Sequence, residues 1–312
     1  MTPLDRAPTN AQLDQALLAL VTPVDDALLA DCTRRIAYGQ DEGLRRAAAT
    51  TLLAAHWNAQ EAAIQSGVVQ LVLDDPAIIA AWSSASRSVK WLSGDHALER
   101  AVQSLLDTRV VFMDYPTEWI EPRIRETLDE RSSLKIKWCV MTMAALREYF
   151  YDESAVSRLN AARVRLDELQ LAVRNGARAI REITQMVIDE HASPTSLSEE
   201  AAQEAESRVV RSLHLKMAQL NKTLPPTIRQ GETARERLLM YRICVAHGSL
   251  FRSQKPTAVY ELLHARGVRT LDRRNVDRAC QSFATKTKTR GASEYRRLVE
   301  RIRQTSAGAA NL

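Results

Sequence analysis

Glycine and proline are scarce in this 312-residue chain, at ten each. Alanine, leucine and arginine dominate instead, and such statistics predict a mostly α protein. Aromatic residues are only 5% of the chain, and no stacking platform of the kind that holds single-stranded RNA bases is visible. The four cysteines, Cys32, Cys139, Cys244 and Cys280, are isolated, with no CxxC pair. They therefore read as reduced core residues of a cytoplasmic protein, not as a disulfide framework. No apolar run approaches the roughly 20 residues that span a bilayer, so no membrane partner is expected. No basic start followed by an apolar stretch marks a secretory signal.

The chemistry-bearing motifs are missing too. There is no GxxxxGK[ST], no dinucleotide-binding glycine fingerprint, no HExxH and no GxSxG. The six histidines are scattered. Cys244 and His247 are three apart and would share a helix face, but two ligands do not make a zinc site, which takes three or four. The expected arrangement there is a core thiol beside an exposed imidazole. The carboxylate pairs in "VDD" (Val24–Asp26) and "LDDP" (Leu73–Pro76) fit helix ends. No cofactor, no metal and no enzymatic role are expected.

What remains is a globular composition, long enough for two or three domains. The expected fold class is all-α: a multi-helix bundle or solenoid-like body followed by a basic C-terminal domain. Residues 1–10 are polar and read as a loose N-terminus. An acidic helical body is expected over 11–222, a linker over 223–231 ("TLPPTIRQG"), the basic domain over 232–304 and a tail over 305–312. Within the body, Thr22 is the expected cap of a helix that Gly39 closes, with Asp25 as a capping-box acid. Residues 41–76 resemble one unit of an armadillo or HEAT-type solenoid, although the repeat period that architecture requires is not evident. "SSLKIKWCVMTMAALREYFY" is expected to be a largely buried helix.

The most regular pattern runs from Ala155 to about residue 190. Leu159, Leu166, Leu169, Val173, Ile180, Ile183 and Val187 recur in steps of three and four, with Ala155, Ala162 and Gly176 completing about four heptads. Val164, Leu171 and Ile188 fall off this seam, making the stripe wider than a two-stranded coiled coil needs. The helix fits either a homodimer seam or the interior of a bundle.

Charge is unevenly distributed. Residues 229–303 hold 18 lysines and arginines against 7 acidic residues, while the rest of the chain holds 25 against 31. Such asymmetry suggests a polyanionic partner, or a basic segment docked on an acidic body. Four helices are expected here: Glu232–His247 closed by Gly248, Thr257–Arg266 closed by Gly267, Asp272–Ala284, and Ser293–Arg303. In the third, Val276, Ala279, Cys280 and Phe283 make one apolar face. "GVRTLDRRNVDRAC" together with the preceding helix resembles a helix-turn-helix, with Val268 and Leu271 plugging a small core and Asp272 as N-cap. The turn is longer than the standard one, as in winged-helix relatives, and "ATKTKTRGAS" would be the wing. The resemblance implies DNA as partner. It assigns Arg273, Arg274, Asn275, Arg278 and Gln281 to base edges, with Arg269, Lys286, Lys288 and Arg290 among the groups available to the backbone. The expected function is a transcriptional regulator. The alternative is a helical scaffold, adaptor or effector that binds no nucleic acid.

Overall fold

A computed structural model describes residues 9–21, 24–67, 69–70, 76–86, 94–111, 116–190, 208, 210–218, 233–265, 268, 270–287 and 291–310. Among the described residues the chain is all-helical, with no strand. Its helices are α1 (Asn10–Val21), α2 (Asp26–Tyr38), α3 (Glu42–Ile64), α4 (Pro76–Ser86), α5 (Gly94–Val111) and α6 (Thr117–Arg131). They continue with α7 (Leu134–Tyr151), α8 (Ala155–Glu190), α9 (Ala234–Phe251), α10 (Pro256–Ala265), α11 (Arg273–Thr287) and α12 (Gly291–Ala310). A further helical stretch lies at 210–218.

Two compact units result, and they do not follow the expected division. One joins Met1–Asp152 with Leu238–Leu312; the other is Glu153–Arg237. The basic quarter therefore shares a core with the N-terminal body. The physical reason lies in α9, where Leu239, Met240, Tyr241, Ile243, Cys244, Val245 and Ala246 are all buried. A helix that is apolar all round must be enclosed by other elements. The expected linker, 223–231, lies outside the described residues.

The first unit holds two apolar clusters. In one, Leu29, Cys32 and Ile36 of α2 meet Ala49, Leu52 and Leu53 of α3, Leu105 of α5 and Ile120 and Ile124 of α6. The other gathers Leu13 and Leu17 of α1, Ile78 of α4, Trp138 and Val140 of α7, and Tyr241 of α9. It also takes in Val259 of α10, Val276 of α11 and Tyr295 of α12. Helix α3 serves both, since its last residues Ala63 and Ile64 belong to the second cluster. Helix α7 is largely buried, as its composition predicts. Arg147, the break in the face of Ile136, Val140, Met143 and Phe150, pairs with Asp14 of α1 at 2.6 Å.

Local chemistry sets the helix ends. Helix α2 starts later than the sequence suggests: Asp25 is the N-cap, accepting from the Ala27 amide at 2.9 Å and the Leu28 amide at 3.2 Å. Asp41 caps α3 in the same way through the Leu44 amide, at 2.8 Å. Gly39 does close α2, by close approach and not by a left-handed turn. A Cβ there would stand 2.4 Å from the Arg35 carbonyl oxygen and 2.9 Å from the Arg45 side chain. Gly248, by contrast, does not end α9, which runs on to Phe251. The expected wing is also overturned: residues 284–287 continue α11 and 291–293 open α12. Residues 288–290 lie outside the described residues.

Buried ion pairs tie α12 to the body. Arg303 grips Asp129 of α6 through both terminal guanidinium nitrogens at 2.8 Å and also donates to the Val21 carbonyl at the end of α1. Asp129 is 3% exposed, and its burial pushes its carboxyl up against the pull of Arg303. Arg303→Ala strands that carboxyl without its partner. Urea unfolding should show a stability loss of about 3 kcal/mol; a loss below about 0.5 kcal/mol would mean that the pair contributes only as a surface pair does.

Candidate functional site

The candidate site is the outer surface of α11, and its position is set by a series of buried contacts that begins in α9. His247 is fully buried. Its Nε2 lies 2.9 Å from the Trp138 indole nitrogen, and its Nδ1 lies 3.1 Å from the Gln254 carbonyl. An indole nitrogen only donates, so Nε2 must accept; the ring proton is on Nδ1 and is donated to Gln254. Burial drives the imidazole pKa down to about 4. The ring is therefore neutral and joins α7 to the turn that leads into α10. Trp82 of α4 and Phe251 complete an aromatic group around it, with Trp82 5.3 Å from Trp138 and 6.0 Å from Phe251, centroid to centroid. The exposed imidazole expected from the sequence is thus a buried one.

The turn after α9 is tight. Arg252 and Lys255 adopt positive φ, 53° and 50°. Left-handed geometry costs a residue with a Cβ about 1 kcal/mol. Lys255 also precedes Pro256, where extended backbone is normal. The carbonyl of neighbouring Gln254 is fixed by His247, and the Lys255 carbonyl accepts the Val259 amide at 3.1 Å as the first turn of α10. Helix α10 packs on α4 and on α11. Its end is closed by the Val268 amide donating to the Leu263 carbonyl at 3.1 Å, the six-to-one bond of a Schellman ending. Val268 and Leu271 are buried, as expected for plugs between the two helices.

Asp272 caps α11, accepting the Asn275 amide at 2.6 Å. Val276 and Cys280 turn inward and are buried. At helical spacing, Arg274, Arg278 and Gln281 follow i, i+4, i+7 and form the stripe opposite them. Arg273 and Asn275 flank that stripe in the first turn. All five side chains are exposed. Lys286 lies within α11 with its side chain outside the described residues, and Arg269, Lys288 and Arg290 lie outside them altogether.

The pairing of charges sharpens the raw count. Arg242 of α9 grips Glu148 of α7 at 2.8 and 3.0 Å. Arg296 of α12 pairs with Glu126 and Glu130 of α6, and Arg303 pairs with Asp129. Part of the basic excess is therefore internal, holding α9 and α12 to the acidic helices. Among the described residues no ion pair involves Arg273, Arg274 or Arg278. A signal for this was present in the sequence: the acids of "RETLDERSS" repeat at helical spacing and need cations opposite them.

Other constellations lead elsewhere. His56, Gln60 and Ser132 form a buried polar knot, with Ser132 Oγ 3.1 Å from His56 Nε2 and 2.8 Å from Gln60 Nε2. It adjoins a water-sized cavity whose cations, Arg125 and Arg303, are already paired. Among the described residues no group of three or more metal-ligating side chains is arranged to hold an ion, and no helix is long and apolar enough to cross a membrane.

The expected seam residues lie in α8, whose span matches the heptad stretch. Leu166 is buried, Leu159 and Val173 are half-buried, and Leu169 is exposed. The off-seam Val164 and Leu171 are exposed, at 58% and 59%. The side chains of Ile180, Ile183 and Val187 are outside the described residues. Comparison with protein-family profiles, with curated proteins and with solved structures finds no match to this chain.

Both buried histidines make stability pH-dependent. His56, like His247, is lowered to about 4, by burial and by the nearby Arg303. Unfolded histidines titrate near 6.5. Between these values the unfolded chain binds more protons, so stability is complete above about pH 6.5 and falls as pH drops toward 4. Each ring contributes a slope of about 1.4 kcal/mol per pH unit near pH 5. Urea titrations across pH 4.5–7 should show His247→Gln losing about one proton's worth of that slope; an unchanged slope would place the imidazole in water.

Proposed function

We propose that this protein binds duplex DNA through the outer face of α11 and acts in transcriptional regulation. One observation carries the reading: Arg273, Arg274 and Arg278 are exposed and, among the described residues, make no ion pair, with Asn275 and Gln281 beside them, on a capped helix whose inner face is buried. Arginine pairs with guanine, and Asn or Gln with adenine, through two hydrogen bonds in the major groove. A helix fixed on its support presents those groups without an ordering cost at binding. Lys286 within α11, and Arg269, Lys288 and Arg290 flanking it in sequence, are suited to phosphates. In this reading α10 and α11 serve as a helix-turn-helix with an extended turn, and among the described residues no strand forms a wing. Helix α8 serves self-association in this reading.

A second reading is a helical interaction protein without nucleic acid. The exposed Val164, Leu169 and Leu171 on α8 favour it, because large apolar side chains grouped on one helix mark contact surfaces.

Fluorescence anisotropy of the full chain on mixed-sequence duplex DNA separates the two. Binding should weaken steeply between 50 and 200 mM salt, by about 100-fold or more. Arg274→Ala/Arg278→Ala should cost about 100-fold in affinity, and Arg273→Ala less, because it flanks the stripe. No binding at low salt removes the DNA reading in favour of the second. Sedimentation of the full chain addresses α8: a dimer that dissociates in Val164→Glu/Leu171→Glu supports a self-association role, and a monomer at high concentration removes it.

A further inference from the structure

We propose that Cys244 and Cys280 form a redox staple, which a hydroperoxide closes into a disulfide joining α9 to α11. The inference goes beyond DNA binding and does not rest on it.

The two thiols come from helices separated by all of α10 and its flanking turns. Their Sγ atoms are 3.1 Å apart and share a hydrogen bond. Both side chains are at most 1% exposed. A disulfide requires about 2.05 Å, so the sulfurs need to approach by about 1 Å, within the reach of small χ1 adjustments. Neither of the other cysteines has such a partner among the described residues. Cys139 is held protonated in the apolar core, its pKa pushed up to about 12, and Cys32 is also raised by burial. Nor do the two thiols read as metal ligands with their neighbour His247, because both of its ring nitrogens are committed to Trp138 and Gln254.

The resting pair is reduced. Cys244 is raised well above its ordinary value by the hydrogen bond to Cys280 and by burial, so thiolate is scarce while the core is closed. Reaction begins when a transient opening of the shared core exposes a thiol. One thiolate then attacks a peroxide oxygen. The O–O bond breaks, a sulfenic acid forms, and the departing hydroxide takes up a proton to become water. When the core recloses, the second sulfur attacks the sulfenic sulfur, the S–O bond breaks and a second water leaves. In sum, two thiols and one hydrogen peroxide give one disulfide and two waters, a two-electron oxidation of the pair. The product tethers α11 to α9, which is itself held to α7 through His247.

The test uses the full chain with hydrogen peroxide as the probe, followed by removal of excess reagent and non-reducing mass spectrometry. The expected product is about 2 Da lighter, has two free thiols on denaturation instead of four, and yields one cross-linked peptide pair containing Cys244 and Cys280. Its Tm should rise by about 5 °C. Dithiothreitol should reverse all of these changes, and Cys280→Ala should abolish them. Should that variant fail to fold, the wild-type readouts still decide. Four free thiols after exposure, oxygen added to these cysteines without a cross-link, or a cross-linked chain that melts lower would each overturn the proposal.

Discussion

The neutral His247 imidazole, bonded on both ring nitrogens, connects three parts of the chain that are far apart in sequence. Trp138 belongs to α7, His247 to α9, and the Gln254 carbonyl to the turn before α10. Losing either bond leaves a fully buried polar atom unsatisfied, which costs about 1–3 kcal/mol. The ring thus fixes where α10 begins, in a turn with two left-handed residues that would otherwise relax. Helix α10 packs on α11, and Val268 and Leu271 fill the space beside them. The outward face of α11 is placed by this sequence of contacts, and each contact is enclosed by the same core that buries α1 and α7.

Electrostatics divides the basic quarter into two parts with different roles. Arg242 of α9 and Arg296 and Arg303 of α12 face carboxylates of α6 and α7 and serve the fold. The arginines at the start of α11 face solvent. Part of the C-terminal charge excess is thus neutralised within the fold, and Arg273, Arg274 and Arg278 remain exposed on α11. A fixed cluster of this kind suits a groove in a way that a diffuse basic surface does not.

Much of the helical layout was legible in the sequence, because it is written locally. The heptad pattern delimits α8. Asp272 announces the start of α11, and the spacing of Val276 and Cys280 divides its two faces. The errors arose where the answer depends on distant partners. Gly248 reads as a helix stop, but the buried surroundings of α9 carry the helix through it. "TLPPTIRQG" lies outside the described residues, while the apolar girth of "LLMYRICVA" is met by neighbours from the N-terminal helices. His247 reads as exposed beside a core thiol, because its partner Trp138 lies 109 residues away. The Thr/Lys alternation after Ala284 reads as a ribbon, although residues 284–287 continue α11 and 291–293 open α12.

The central claim is that α11 is presented by the body's own core and not by a separable module. Amide hydrogen exchange of the full chain, followed peptide by peptide across increasing urea, measures this directly. Peptides from α9, the buried face of α11, α1 and α7 should converge on one opening free energy and lose protection together. If α9 to α12 opened well before α1 and α7, with its own lower free energy, the basic quarter would be an independent domain and the account would be wrong.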